Sequence, residues 1–172
     1  TWELVLEIDE HTGVNEVHMD PRDPDVLYAS SYQRRRRVWT LVNGGPGSGI
    51  WKSEDAGANW RKINRGLPGG DRGRIGLDIA PKNPDVLYAI VEGKSGSGGV
   101  YRSTNRGESW EKRNGYMTTS PQYYNELVCD PHDVDRVYFL DTIMRVTEDG
   151  GKTITAVPRS RRHAVSYTHL TL

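Results

Sequence analysis

Two short elements recur in the same order along this 172-residue chain, and that repetition limits the fold more than any other feature. The first is Asp20-Pro21-Arg22-Asp23-Pro24-Asp25-Val26-Leu27-Tyr28, which returns as Ala80-Pro81-Lys82-Asn83-Pro84-Asp85-Val86-Leu87-Tyr88 and, more loosely, as Asp130-Pro131-His132-Asp133-Val134-Asp135-Arg136-Val137-Tyr138. The second follows downstream: Gly49-Ile50-Trp51-Lys52-Ser53-Glu54-Asp55-Ala56-Gly57-Ala58-Asn59-Trp60, then Gly99 to Trp110, then a weaker copy from Met144 to Ile154. The prolines at 21, 81 and 131 set the register. Such a period demands stacked units that bury their faces against one another.

Each unit reads as four strands. In the first, Gly13 to Met19 alternates apolar and polar, Asp20 to Pro24 turns, and Val26 to Tyr32, Gly49 to Lys52 and Trp60 to Ile63 supply the rest. Proline presets φ for the turn, while Asp or Asn side chains bond the backbone just ahead. A four-stranded meander per repeat is a propeller blade, so the expected class is all-β, a β-propeller fragment of about three blades. Composition agrees: 19 Gly, 9 Pro, 5 Trp and 9 Tyr favour strands and tight turns over helices. The expected units are 1–12 as the end of a preceding blade, then blades at 13–66, 67–115 and 116–157, and a non-repeat tail at 158–172. Thr1-Trp2 reads as the end of an earlier copy of the second element. The segment AVSYTHLTL, Ala164 to Leu172, lacks turn residues and resembles translated sequencing adapter. Missing blades would leave two open edges, so the isolated piece is expected to associate or misfold.

The second element fits the Asp-box, S-x-D-x-G-x-x-W. Ser53, Asp55, Gly57 and Trp60 fit it fully; Ser103, Gly107 and Trp110 fit with Asn105 in place of Asp; Thr147, Asp149 and Gly151 fit with Ile154 in place of Trp. The residue types are those of a turn: a short acceptor side chain, a hydroxyl, a glycine for positive φ and an indole to bury. Asn105 keeps the acceptor and loses the charge, which suits a scaffold and would cripple a catalytic acid. With its D-P-x-x-P-D-V-L-Y strands, the stretch GLPGGDRGRIGLDIAP (66–81) and YYNELVCDP (123–131), the chain resembles bacterial sortilin-N-terminal-like proteins, also called BNR repeat glycosyl hydrolases, over about residues 1 to 157. The resemblance implies a binding or scaffold propeller, part of a larger exported protein, recognising protein or glycan. The alternative it implies is part of a secreted glycoside hydrolase, xyloglucanase-like rather than sialidase-like. An extracellular or periplasmic location is expected for the parent.

The binding candidates are basic and aromatic. Arg34 to Arg37 precede Trp39 in the insert RRRRVWTLVNGGPGSG (34–49), read as the longest inter-strand connection of the chain with a long glycine-rich loop beside the arginines; guanidinium groups fork onto carboxylates and indoles stack on sugars. In a strand alternate arginines face opposite sides, so Arg35 and Arg37 go together with Trp39. Arg72 and Arg74 precede an inner strand at Ile75 to Ile79, and Tyr123 and Tyr124 hold the equivalent place before Leu127 to Cys129. A glycosidase needs two carboxylates about 5–10 Å apart, for which Asp78, Glu126 and Asp141 are candidates. A sialidase would add an arginine signature; the nearest string is Arg74-Ile75-Gly76.

The remaining chemistry is sparse. Lys plus Arg and Asp plus Glu each total 23, so the balance calls for neither nucleic acid nor an anionic membrane. No apolar run is long enough to span a bilayer. Cys129 is the single cysteine and reads as a small core residue. His11, His18, His132, His163 and His169 show no ligand spacing, so neither metal nor cofactor is expected.

Overall fold

The computed structural model describes residues 3–158, so Thr1-Trp2 and residues 159–172 lie outside it. Three antiparallel sheets follow one another along the chain. The first contains β1 (Thr12–Asp20), β2 (Asp23–Arg37), β4 (Gly49–Ser53) and β5 (Arg61–Lys62) in that order, with β3 (Thr40–Asn43) paired to the far end of β2. The second runs β6 (Arg72–Ile79), β7 (Leu87–Gly93), β8 (Gly99–Ser103) and β9 (Glu111–Asn114). The third runs β10 (Glu126–Cys129), β11 (Val137–Leu140), β12 (Arg145–Thr147) and β13 (Thr155–Ala156), preceded by one helical turn, α1 (Pro121–Tyr124).

Alternation along the strands makes the sheets stack. Tyr28, Ile50 and Ile63 of the first sheet pack with Ile75, Leu77, Leu87, Ala89 and Tyr101 of the second. The other face of the second sheet, Tyr88, Ile90 and Val100, packs on Leu127, Cys129, Val137 and Phe139 of the third. Period-two side chains thus give the middle sheet two buried faces. On β1, His18 pairs with Tyr28 on the packed face, whereas Val17 and Met19 lie on the opposite face, 58% and 57% exposed. Successive four-stranded meanders stacked face to face are the blades of a β-propeller.

The insert after Arg34 is not a loop. β2 runs on to Arg37, turns at Val38 and Trp39, and returns as β3 with Arg34 opposite Asn43 and Arg37 opposite Thr40. The run Val38-Trp39-Thr40-Leu41-Val42 is rich in β-branched and aromatic residues, which favour strands, and only the glycine-rich part from Gly44 onward is irregular. Arg72 and Arg74 lie inside β6 rather than ahead of it, while Tyr123 and Tyr124 sit on α1, so the two pairs are not structurally alike.

The third-to-fourth strand turn is built alike in every sheet. Ser53 Oγ donates to Asp55 Oδ1 at 2.8 Å and accepts the Gly57 N–H at 2.9 Å. Ser103 repeats this with Asn105 (2.9 Å) and Gly107 (2.9 Å), and Thr147 with Asp149 (2.9 Å) and Gly151 (2.9 Å). Two consecutive residues take positive φ each time: Ala56 and Gly57, Arg106 and Gly107, Gly150 and Gly151. The preceding sheet receives what the turn presents, for Trp110 donates its indole N–H to Ile63 O of the first blade at 2.7 Å and is 5% exposed. Trp60 is half-buried and its indole instead reaches Gly57 O of its own turn, at 2.9 Å.

That difference sets a comparison. Trp110→Ala is expected to destabilise by about 3–5 kcal/mol, as for a fully packed aromatic, and Trp60→Ala by about half of that or less. Paired denaturant titrations measure both, and equal losses would contradict the placement of Trp110 between blades.

Candidate functional site

The innermost strands β1, β6 and β10 turn one edge away from their own sheets, and an unpaired strand edge needs partners. For β6 and β10, side chains from the neighbouring blade supply them. Glu16 accepts the Leu77 N–H at 2.7 Å and Asn15 donates to Ile75 O at 3.0 Å, joining β1 to β6. Asp78 accepts the Cys129 N–H at 2.8 Å, and Asn125, fully buried, donates to Arg74 O at 2.8 Å and Ile90 O at 2.9 Å, joining β6 to β10. The approach is so close at Gly76 that a Cβ there would meet the Asn125 carbonyl oxygen, which explains glycine in mid-strand.

A groove of about 230 Å³ opens along these strands, lined by Asn15, Glu16, His18, Arg74, Glu126 and Val128 among others. Its polar groups are engaged with one another. His18 Nδ1 lies 3.4 Å from Asp78 and its Nε2 3.8 Å from Glu16. Arg74 bonds Glu126 at 2.7 Å and the Tyr123 carbonyl at 3.1 Å. Burial pushes the Asp78 carboxyl up, with the Cys129 amide and the His18 charge opposing it. Burial also works against the His18 cation, but its bond to Glu16 and the charges of Asp78 and Glu16 outweigh that cost and hold its pKa above the usual value. Among the described residues no cluster of His, Cys, Asp or Glu is arranged to hold a metal ion.

The predicted residues fall into three places. Arg74, Tyr123 and Tyr124 meet at the groove's α1 end, where Tyr123 is exposed and the two tyrosine rings stand 6.1 Å apart. Arg35, Arg37 and Trp39 lie on the β2–β3 ribbon, away from the groove; Trp39 is 77% exposed and the Arg37 guanidinium carbon is 5.9 Å from its ring centre. Arg72 is buried, with Nε on Ser48 O at 3.0 Å and Nη1 on Pro68 O at 2.6 Å, so its guanidinium anchors the chain returning from the ribbon. Of the candidate carboxylates, Asp141 is buried against Thr119 Oγ1 (2.6 Å) and Tyr116 OH (2.9 Å). The turn residues Ser53, Asp55, Ser103, Asn105, Thr147 and Asp149 bond only within their own turns and strand ends.

Sequence reasoning passed over Asn15, Glu16, His18 and Asn125. A signal was present: Asn15 and Asn125 stand six residues before the prolines at 21 and 131, and both bond inner-strand carbonyls of the second blade.

No protein-family model matches the sequence. Among curated proteins, it is 31% identical over 91 residues to vacuolar protein sorting/targeting protein 10 of Sordaria macrospora, covering 52% of this chain and 5% of that protein. It is 28% identical over 157 residues to a xyloglucanase of Hypocrea jecorina, covering 87% of this chain and 17% of that protein. The chain therefore spans less than a fifth of either relative. Among solved structures, it is similar to the GH74 xyloglucanase from Xanthomonas campestris with TM-score 0.62 and 18% identity, over 87% of this chain and 24% of that one. It is equally similar to YCF48 bound to D1 peptide, with TM-score 0.62 and 11% identity, over 92% of this chain and 44% of that one. At such identities these neighbours establish the β-propeller fold.

The histidine clasp predicts a pH dependence. Its stabilisation is fully present below the unfolded histidine value of 6.5 and is lost as pH rises through the raised folded value. Unfolding free energies measured from about pH 6 to 8 are expected to decline more steeply for wild type than for His18→Gln. Parallel curves would contradict the clasp.

Proposed function

We propose that this chain is a binding and scaffold segment of a larger Asp-box propeller protein of the sortilin-like kind, recognising protein or glycan where its inner strands and loops meet. The observation that carries this reading is that each carboxylate near the groove already has a partner inside the scaffold. Glu16 serves Leu77, Asp78 serves Cys129, and Glu126 is ion-paired with Arg74. A general acid and base for glycoside hydrolysis require two carboxyl groups free to face one sugar. What remains open at the α1 end is the exposed Tyr123 ring, a surface suited to contact rather than to proton transfer.

The second reading, part of a secreted glycoside hydrolase, is supported by the likeness to xyloglucanase along 87% of the chain. In that case the missing carboxylates would come from other parts of the parent protein. Propellers related in fold carry unlike roles, so the fold alone favours neither reading.

An assay of the parent protein against a polysaccharide panel separates them. The binding reading expects retention of a ligand without turnover, and unchanged behaviour in Glu126→Gln. Turnover that one groove substitution, Glu126→Gln or Asp78→Asn, abolishes in a folded variant would overturn it.

A further inference from the structure

The β2–β3 ribbon belongs to neither blade interface. β1 accompanies β2 to Gln33, the Arg34 N–H still bonds His11 O at 2.9 Å, and β4 pairs only from Leu27 to Ser31, so beyond Arg34 the strand pairs with β3 alone. Its base is fixed: Gln33 accepts the Gly47 N–H at 2.9 Å, Asn43 donates to Glu92 at 3.0 Å, and the Arg72 guanidinium holds Ser48. A rigid base with a free tip makes a projecting arm.

Its chemistry is lopsided. Arg34, Arg36 and Arg37 have no carboxylate partner among the described residues; Arg35 contacts the His11 ring at 2.6 Å and has one carboxylate near it, the exposed Glu10 at 3.6 Å, so its charge is not neutralised by a buried pair. Arg35 and Arg37 share one face of the ribbon, opposite Val42 and Thr40, and Trp39 at the tip stands beside Arg37. Val38 is fully exposed and Leu41 and Val42 are 45% and 39% exposed. Unneutralised guanidinium groups next to an open indole recognise anions that also offer a flat apolar face.

We propose that this ribbon is a docking arm for a carboxylated polysaccharide, a polyuronate chain, in which Trp39 stacks on a sugar ring while Arg37 and Arg35 fork onto carboxylates of that ring and the next. The proposal rests on the binding reading above and adds to it one arm, away from the inner-strand groove, and one ligand class. An acidic protein is the lesser fit, because a stable protein interface takes about 800 Å² from each partner. Two four-residue strands joined by a two-residue turn present a narrow convex strip, whereas a sugar chain needs only one ring face and neighbouring charges.

The test uses the full chain with three probes: polygalacturonate, its fully methyl-esterified form, and poly-glutamate. Polygalacturonate is expected to bind, to weaken with salt, and to lose at least about tenfold in affinity both in Trp39→Ala and in Arg35→Gln/Arg37→Gln. The esterified polymer and poly-glutamate are expected to bind at least about tenfold more weakly. Because these side chains lie outside both cores, unchanged circular dichroism is expected and certifies the variants. Equal binding of poly-glutamate with no effect of Trp39→Ala would overturn the proposal in favour of bare charge attraction or an acidic protein. Binding of a neutral polysaccharide that ribbon variants leave intact would also overturn it, while leaving the binding reading standing.

Discussion

One hydroxyl in each blade sets the geometry on which the rest depends. Ser53, Ser103 and Thr147 each donate to a short acceptor two residues on and accept the amide four residues on, closing a turn that two left-handed residues make possible. The turn decides where the following residue points, and in the second blade that residue is Trp110, lodged against Ile63 of the first. Alternating strand side chains supply the stacked faces, and in the second blade this turn adds Trp110 to the seam. The acceptor is Asp, Asn, Asp in succession, and Asn105 Oδ1 accepts the same hydroxyl and backbone amide as Asp55 Oδ1 does, while its Nδ2 donates to Ser109 where Asp55 Oδ2 accepts from Asn59. Charge is therefore dispensable at the position.

Stacking creates a second constraint, at the inner edges. The innermost strands β6 and β10 expose backbone groups that their own sheets cannot pair, and the neighbouring blade answers them with Glu16, Asn15, Asp78 and Asn125. These are the residue types that a search for catalysis would single out, yet here they stand in for a missing strand. The cost falls on chemistry: a carboxylate held by a backbone amide is not free to move protons at a ligand. The surfaces that the scaffold does not use are the exposed Tyr123 of α1 and the arginine-tryptophan ribbon, and the proposed recognition is placed there.

Much of this was legible in the sequence, and the gaps have physical causes. The repeat, the strand meander and the turns follow from local chemistry, since proline, glycine and hydroxyl residues act on their immediate neighbours. The ribbon is hard to read because Gly44, Gly45 and Gly47 advertise a loop, and Val38 to Val42 just before them offer β-forming residue types without a clean alternation. Arg72 read as a ligand-binding arginine because burial against Ser48 and Pro68 depends on a contact between blades. Asn125 was passed over for the same reason, its partners Arg74 and Ile90 being a blade away.

The central claim is that the repeated turns are scaffold and that ligand contact lies elsewhere. Asp55→Asn tests it most directly, because it removes the charge and leaves the first turn the amide acceptor that the second already uses. Ligand affinity of this variant, measured beside its thermal unfolding, is predicted to match wild type with the fold intact. A variant that folds as wild type does but loses binding, or loses turnover in the parent protein, would contradict the account.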